Sequence, residues 1–102
     1  SKMVVVERLN LALRIRILMK LLQRKDPNLF SKARQALKYC AEKNKEGNQG
    51  FIPLSTSIRR TLPKVVGEKM WQHSEMCRRW AIEQASKKKR LQQKRTADST
   101  QA

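Results

Sequence analysis

Residues 6–25, VERLNLALRIRILMKLLQRK, decide how the rest of the chain must fold. At about 100° per residue they carry two apolar stripes. Leu9, Leu13, Ile17 and Leu21 line one side, and Leu11, Ile15, Leu18 and Leu22 line the other, nearly half a turn round. Arg8, Arg14, Arg16 and Lys20 fall in the seams between them. A helix apolar on one side packs on a core, whereas one apolar on two sides needs cover on both. This stretch is therefore either the central member of a helical bundle or a core helix whose second side meets another molecule.

The totals narrow the choice. At 102 residues the chain is one domain, able to bury only roughly 60–65% of its unfolded surface in one modest core. Its 24 basic and 8 acidic residues give a net charge of +16. The last sixteen residues contribute six basic and one acidic side chain, so most of the excess lies in the folded part. The partner expected for such a chain is anionic: nucleic acid, an acidic peptide segment or a membrane surface. A membrane span is not expected, because Arg14, Arg16 and Lys20 interrupt the longest apolar run. Cys40 and Cys77 form no C-x-x-C pair and fall on apolar helix faces, the pattern of buried thiols in an intracellular reducing compartment.

Outward from the opening stretch, the first five residues read as a short lead-in. Asp26-Pro27 ends the first helix, since a residue before proline avoids helical angles. The same pair opens the second, with Asp26 as N-cap and Pro27 at the first helical position. The second helix runs from Pro27 to about Lys45, with Phe30, Ala33, Leu37, Cys40 and Ala41 on one stripe and Gly47 as its terminator. Phe51-Ile52-Pro53-Leu54 is expected to pack over the end of the bundle. A short helical turn holding Ile58 and Leu62 follows, capped within Ser55-Thr56-Ser57, and Pro63 then kinks or restarts the chain. The third helix is predicted from about Lys64, with Val66, Met70, His73, Cys77 and Ala81 as its core stripe and Gly67 inside it, where a close neighbour needs the space. From residue 87 the sequence KKKRLQQKR has no apolar face, so it projects into solvent as a basic helical extension ending in a disordered tail. The expected architecture is thus all-α: a three-helix bundle over residues 1–86, with a short extra helical turn before the third helix, and a basic extension over 87–102.

Enzymatic chemistry has little to stand on. The eight acids are scattered among opposite charges, no glycine-rich phosphate loop is present, and His73, the only histidine, has no partner to tune it. His73 and Cys77 alone make no metal site. No catalytic residue, metal site or cofactor is therefore expected, nor a small-molecule substrate. Lys87, Lys88, Lys89 and Arg90, with Lys94 and Arg95, have the composition of a nuclear-import signal or of a phosphate-contacting patch. Arg59-Arg60 and Arg78-Arg79 would extend it only if the fold brings them together. The doubled face of the first helix, with Trp71 placed beside it, has the make-up of a peptide groove: apolar floor, aromatic wall and basic rim. An acidic amphipathic helix suits such a groove.

Three segments, in order, resemble the KIX domain of transcriptional coactivators. Leu13-Arg14, Ile17-Leu18 and Lys20-Leu21-Leu22-Gln23 look like its first helix, with the pattern L-R-x-x-L-V-x-K-L-V-Q. Asp26-Pro27, then Tyr39-Cys40 and Glu46-Gly47, are similar to D-P, Y-A and E-G of the second. Val66-Gly67-Glu68-Lys69-Met70-Trp71 resembles L-A-E-K-I-Y of the third. The resemblance implies a three-helix bundle that binds helical activation segments between its first and third helices. It places Leu13, Ile17, Lys20, Val66 and Trp71 along that groove, leaves Leu11, Ile15, Leu18 and Leu22 mostly in the core, and implies a nuclear, transcription-related role. Glu75 departs from the pattern, standing where the family has a lysine. The alternative is a basic helical protein bound to DNA or RNA, or a structural subunit of a nucleoprotein or other large assembly.

Overall fold

In the computed structural model residues 2–45 and 53–101 are described, with side chains over 5–45 and 53–94. Four helices follow one another: α1 (Lys2–Lys25), α2 (Pro27–Lys45), α3 (Leu54–Val66) and α4 (Glu68–Gln101). There is no strand among the described residues. The expected all-α class is found, with a fourth helix where a short turn was anticipated. Gly47 and Phe51-Ile52 lie outside the described residues, as does Glu46 of the KIX-like pattern.

The α1–α2 corner is built by one residue. The Asp26 N–H donates to the Leu22 carbonyl at 2.8 Å, closing α1, while its Oδ1 accepts from the Leu29 N–H at 3.1 Å, capping α2. Pro27 supplies no N–H where none is needed. The lead-in expected before residue 6 is helical from Lys2 onward.

The larger correction concerns the second half. Pro63 lies inside α3 rather than at its start. In the last turn of a short helix it forfeits one backbone hydrogen bond, and the carbonyl of Pro63 itself still accepts from the Gly67 N–H at 3.0 Å. Pro53, not the serines, stands at the N-cap, its carbonyl accepting from Thr56 and Ser57. The chain breaks at Gly67, whose φ of +91° and ψ of 147° are open essentially to glycine alone. No neighbour crowds the glycine: a Cβ there would meet nothing within 4 Å. Gly67 is required for its backbone angle, not for space.

That break resets the helical phase, so a stripe drawn from Val66 through Met70 and His73 joins two different helices. Val66 belongs to α3 and is buried. On α4 the inward residues are Trp71 and Ser74, while His73 is exposed and Met70 and Cys77 are half-buried. α4 then continues to Gln101, past the point where a disordered tail was expected. Neither glycine nor proline interrupts it, and adding a residue to an existing helix is far easier than starting one.

α2 packs against α3, and α1 against α4, with α1–α2 and α3–α4 contacts closing the bundle. The core comprises Leu11, Leu18 and Leu22 of α1, Ala33 and Cys40 of α2, Ile58, Leu62 and Val66 of α3, and Trp71 of α4. Of the two stripes on α1, the one holding Leu11, Leu18 and Leu22 is inside, with Ile15 half-buried beside it. Leu18, Leu22 and Leu62 are fully covered, each worth about 1.5–3 kcal/mol. α2 presents small side chains at its most buried positions, which lets its backbone come close to α3.

Candidate interaction surface between α1 and α4

Arg14 joins α1 to α4. Expected in a seam, it is only 7% exposed. Its Nε donates to Ser74 Oγ at 2.9 Å and its Nη2 to the Trp71 carbonyl at 2.7 Å. The guanidinium carbon sits 3.6 Å from the centroid of the Trp71 ring, a desolvated cation–π contact. Nη1 lies 3.3 Å from Glu75 Oε2, and that carboxylate also accepts from Arg78 and, at 3.3 Å, from Arg79 Nε. Ser74 Oγ donates onward to the Trp71 carbonyl at 2.6 Å.

The electrostatics follow from that geometry. Burial pulls the Arg14 guanidinium below its ordinary pKa and Glu75 opposes the shift, but an arginine remains a cation at any pH at which the protein folds. The Glu75 carboxyl is held below the usual carboxylate range, first by the hydrogen bond from Arg78, with burial working against it. Where a lysine would follow the KIX pattern, this chain instead has an anion that holds three arginines.

The same contacts fix how the two helices face each other. Glu7 and Asn10 share a cleft with Arg78 and Arg79, whereas Arg14 meets Trp71 to Glu75, so α1 and α4 run antiparallel. α3 enters the cleft through Arg59, on the Glu75 side. Around α1, Leu21, Ile17 and Leu13 lie about 20°, 60° and 100° from Arg14 on the other side, and all three are half-buried. Around α4, Met70 and Cys77 lie about 40° and 60° from Ser74, again away from Glu75. Along the two axes Ile17 is then level with Met70, Leu13 with Cys77 and Leu9 with Trp80. At one end of this α1–α4 border Leu9 is 65% and Trp80 63% exposed. Arg16 and Lys20 of α1 and Lys69 of α4 are exposed.

Among the residues expected to line a groove, Leu13 and Ile17 are half-buried and Lys20 is exposed. Val66 and Trp71 are not surface residues: Val66 is 8% exposed within the core and Trp71 5%, covered by Arg14. The turn at Gly67 aims the indole at α1, so Trp71 supports the border from beneath. His73, read as a core residue, is exposed, with its Nε2 3.5 Å from Cys77 Sγ. Both cysteines are free thiols, Cys40 buried and Cys77 half-buried.

The basic run is fully outside. Lys87, Lys88, Lys89, Arg90 and Lys94 are exposed, with Lys87 Nζ 3.7 Å from Glu83, while the Arg95 side chain lies outside the described residues. Arg59, Arg78 and Arg79 do converge, on the cleft between α1, α3 and α4, but Arg60 does not line it. Among the described residues no group of three or more His, Cys, Asp or Glu side chains is arranged to hold a metal ion, and no helix is long and apolar enough to cross a membrane. No family model, curated protein or solved structure matches the chain.

Proposed function

We propose that the chain is a non-catalytic, KIX-like interaction module that seats an acidic amphipathic helix of a regulatory protein along the α1–α4 border away from α3, in a nuclear, transcription-related setting. The observation that carries this reading is the apolar row Leu13, Ile17 and Leu21 of α1, left half-buried on a helix that packs against α4 and that also exposes Arg16 and Lys20. Apolar anchors with a charged rim are the chemistry of helix-in-groove recognition. Leu13 and Ile17 supply the floor from α1, Met70 and Cys77 supply it from α4, and Trp80 forms the open end. Trp71 and Val66 act from below, by holding the two helices in place.

The test is a titration of the full chain with a peptide carrying leucines at helical spacing and glutamates on its other face. Emission from the exposed Trp80 shifts to the blue as the peptide covers it, while the buried Trp71 gives a constant background. Leu13→Ser and Trp80→Ala each weaken binding by about 1–3 kcal/mol, as anchors do. Unchanged affinity in both variants excludes the groove.

A second reading rests on a different observation, the exposed Lys87, Lys88, Lys89, Arg90 and Lys94. These side chains on a projecting helix suit a phosphate backbone, so binding to DNA or RNA, alone or within a larger assembly, is the alternative. Contacts of that kind carry no base sequence information.

A further inference from the structure

The cleft between α1, α3 and α4 takes part in neither reading above. Its volume is about 320 Å³. Arg14, Arg59, Arg78 and Arg79 line it against two carboxylates, Glu7 and Glu75, which leaves an excess of two positive charges. The four cations are not equally committed. Glu75 holds Arg14, Arg78 and the Nε of Arg79. The Arg79 side chain is nonetheless 76% exposed, and its two terminal nitrogens make no hydrogen bond among the described residues. Arg59 is exposed and enters no ion pair among the described residues. Its charge reaches across the cleft: burial, and after it Arg59 and Arg78, pull the Arg14 guanidinium below its ordinary pKa, with Glu75 opposing. Asn10, half-buried on the α1 wall, adds an uncharged amide.

Like charges that a fold holds together repel, and an anion seated among them relieves the repulsion. A guanidinium fork meets the oxygens of a carboxylate or a phosphate two at a time. The charge decides between them: a carboxylate brings one negative charge, a phosphate with a single ester bond nearly two at neutral pH. We propose that this cleft binds one phosphate dianion, as the free ion or as the monoester end of a small molecule, clasped by Arg59 of α3 and Arg79 of α4. Glu75 keeps Arg14 and Arg78 in place behind that clasp, and the open side of the cleft takes the esterified group. A nucleic-acid backbone, with one charge on each phosphate, matches the excess less well. The cleft lies on the Glu75 side of α4, away from Leu13 and Ile17, so it stands or falls independently of the peptide reading.

The probe is methyl phosphate, titrated into the full chain at constant ionic strength while the arginine Nε–H signals are followed. Saturable shifts at Arg59 and Arg79 are expected, and dimethyl phosphate, one charge poorer, binds about tenfold more weakly. Inorganic phosphate is the second arm: tighter binding than methyl phosphate assigns the free ion as occupant, and equal or weaker binding assigns the monoester. Arg59→Gln, at an exposed position, leaves the fold intact and weakens methyl phosphate about tenfold. Lys88→Gln removes the same charge from the exposed arm and leaves the affinity unchanged. No saturable shift up to about 20 mM methyl phosphate overturns the assignment. So does equal binding of the dimethyl ester, or an equal loss in Arg59→Gln and Lys88→Gln, which would reduce the cleft to one part of a diffuse positive field.

Discussion

Replacing Arg14 with methionine removes a buried cation; replacing Glu75 with glutamine strands one. The first change should cost less than the second, although Arg14 is the more buried of the two and makes more varied contacts. Arg14→Met loses two hydrogen bonds from a charged donor, each worth about 1.5–3 kcal/mol, and a cation–π contact of about 2 kcal/mol. Against that loss, the several kcal/mol spent desolvating the guanidinium are recovered, and a methionine of similar length still covers the indole. Nothing is orphaned: Ser74 Oγ keeps its bond to the Trp71 carbonyl, and Glu75 keeps Arg78 and Arg79. The net cost should be about 1–2 kcal/mol. Glu75→Gln leaves Arg14 buried beside Arg78 with only a neutral acceptor nearby, which should cost about 2–4 kcal/mol. Urea unfolding at neutral pH resolves the difference, since the second variant should lower the midpoint by about 1–2 M. Near-ultraviolet dichroism of Trp71 confirms that the native packing survives in each variant. If Arg14→Met proves as damaging as Glu75→Gln, the account of Arg14 as a cation whose partners remain satisfied without it is wrong.

Three further outcomes follow from particular residues. Glu75 has a folded pKa below its unfolded value of about 4.3, so its contribution is complete above that pH and is lost as pH falls through the lower folded value; the wild-type urea midpoint should drop more between pH 6 and pH 3 than that of Glu75→Gln, and parallel drops would contradict the linkage. At Gly67, an L-alanine should lower stability by about 1–2 kcal/mol through its backbone angle alone, there being open space around the glycine; an unchanged urea midpoint would contradict this. For the nucleic-acid reading, changing Lys87, Lys88, Lys89 and Arg90 to glutamine should reduce the slope of log K against log salt for duplex DNA by about three to four units, with Trp80→Ala having no effect; an unaltered slope would remove the basic helix from consideration.

Much of the first half was legible in sequence because its signals are local. Asp26-Pro27 placed both helix ends through chemistry contained within a few residues; spacing gave α1 two apolar stripes, and only the KIX resemblance said which of them faces inward. The second half failed at one residue. A stripe drawn through Gly67 assumes a common axis, and the glycine's positive φ rotates everything after it, which is why His73 and Trp71 exchanged their expected places. Arg14 was missed for another reason: its partners lie about sixty residues away on another helix, and no periodicity within α1 announces them. The i, i+3 and i, i+4 spacing of Glu75 with Arg78 and Arg79 was visible, but it reads as ordinary surface pairing until the fold delivers a third arginine. Trp71 was assigned to the surface because its stripe was drawn across the break.

The length of α4 has a mechanical consequence. The clasp on Arg14 grips it between Trp71 and Glu75, and past the level of Lys2, at about residue 87, roughly 20 Å of helix projects beyond α1 to Gln101. A flexure of about 10° in that arm would sweep its tip through roughly 4 Å. A polyanion approaching from that side meets the lysines of the arm before it meets the body of the molecule.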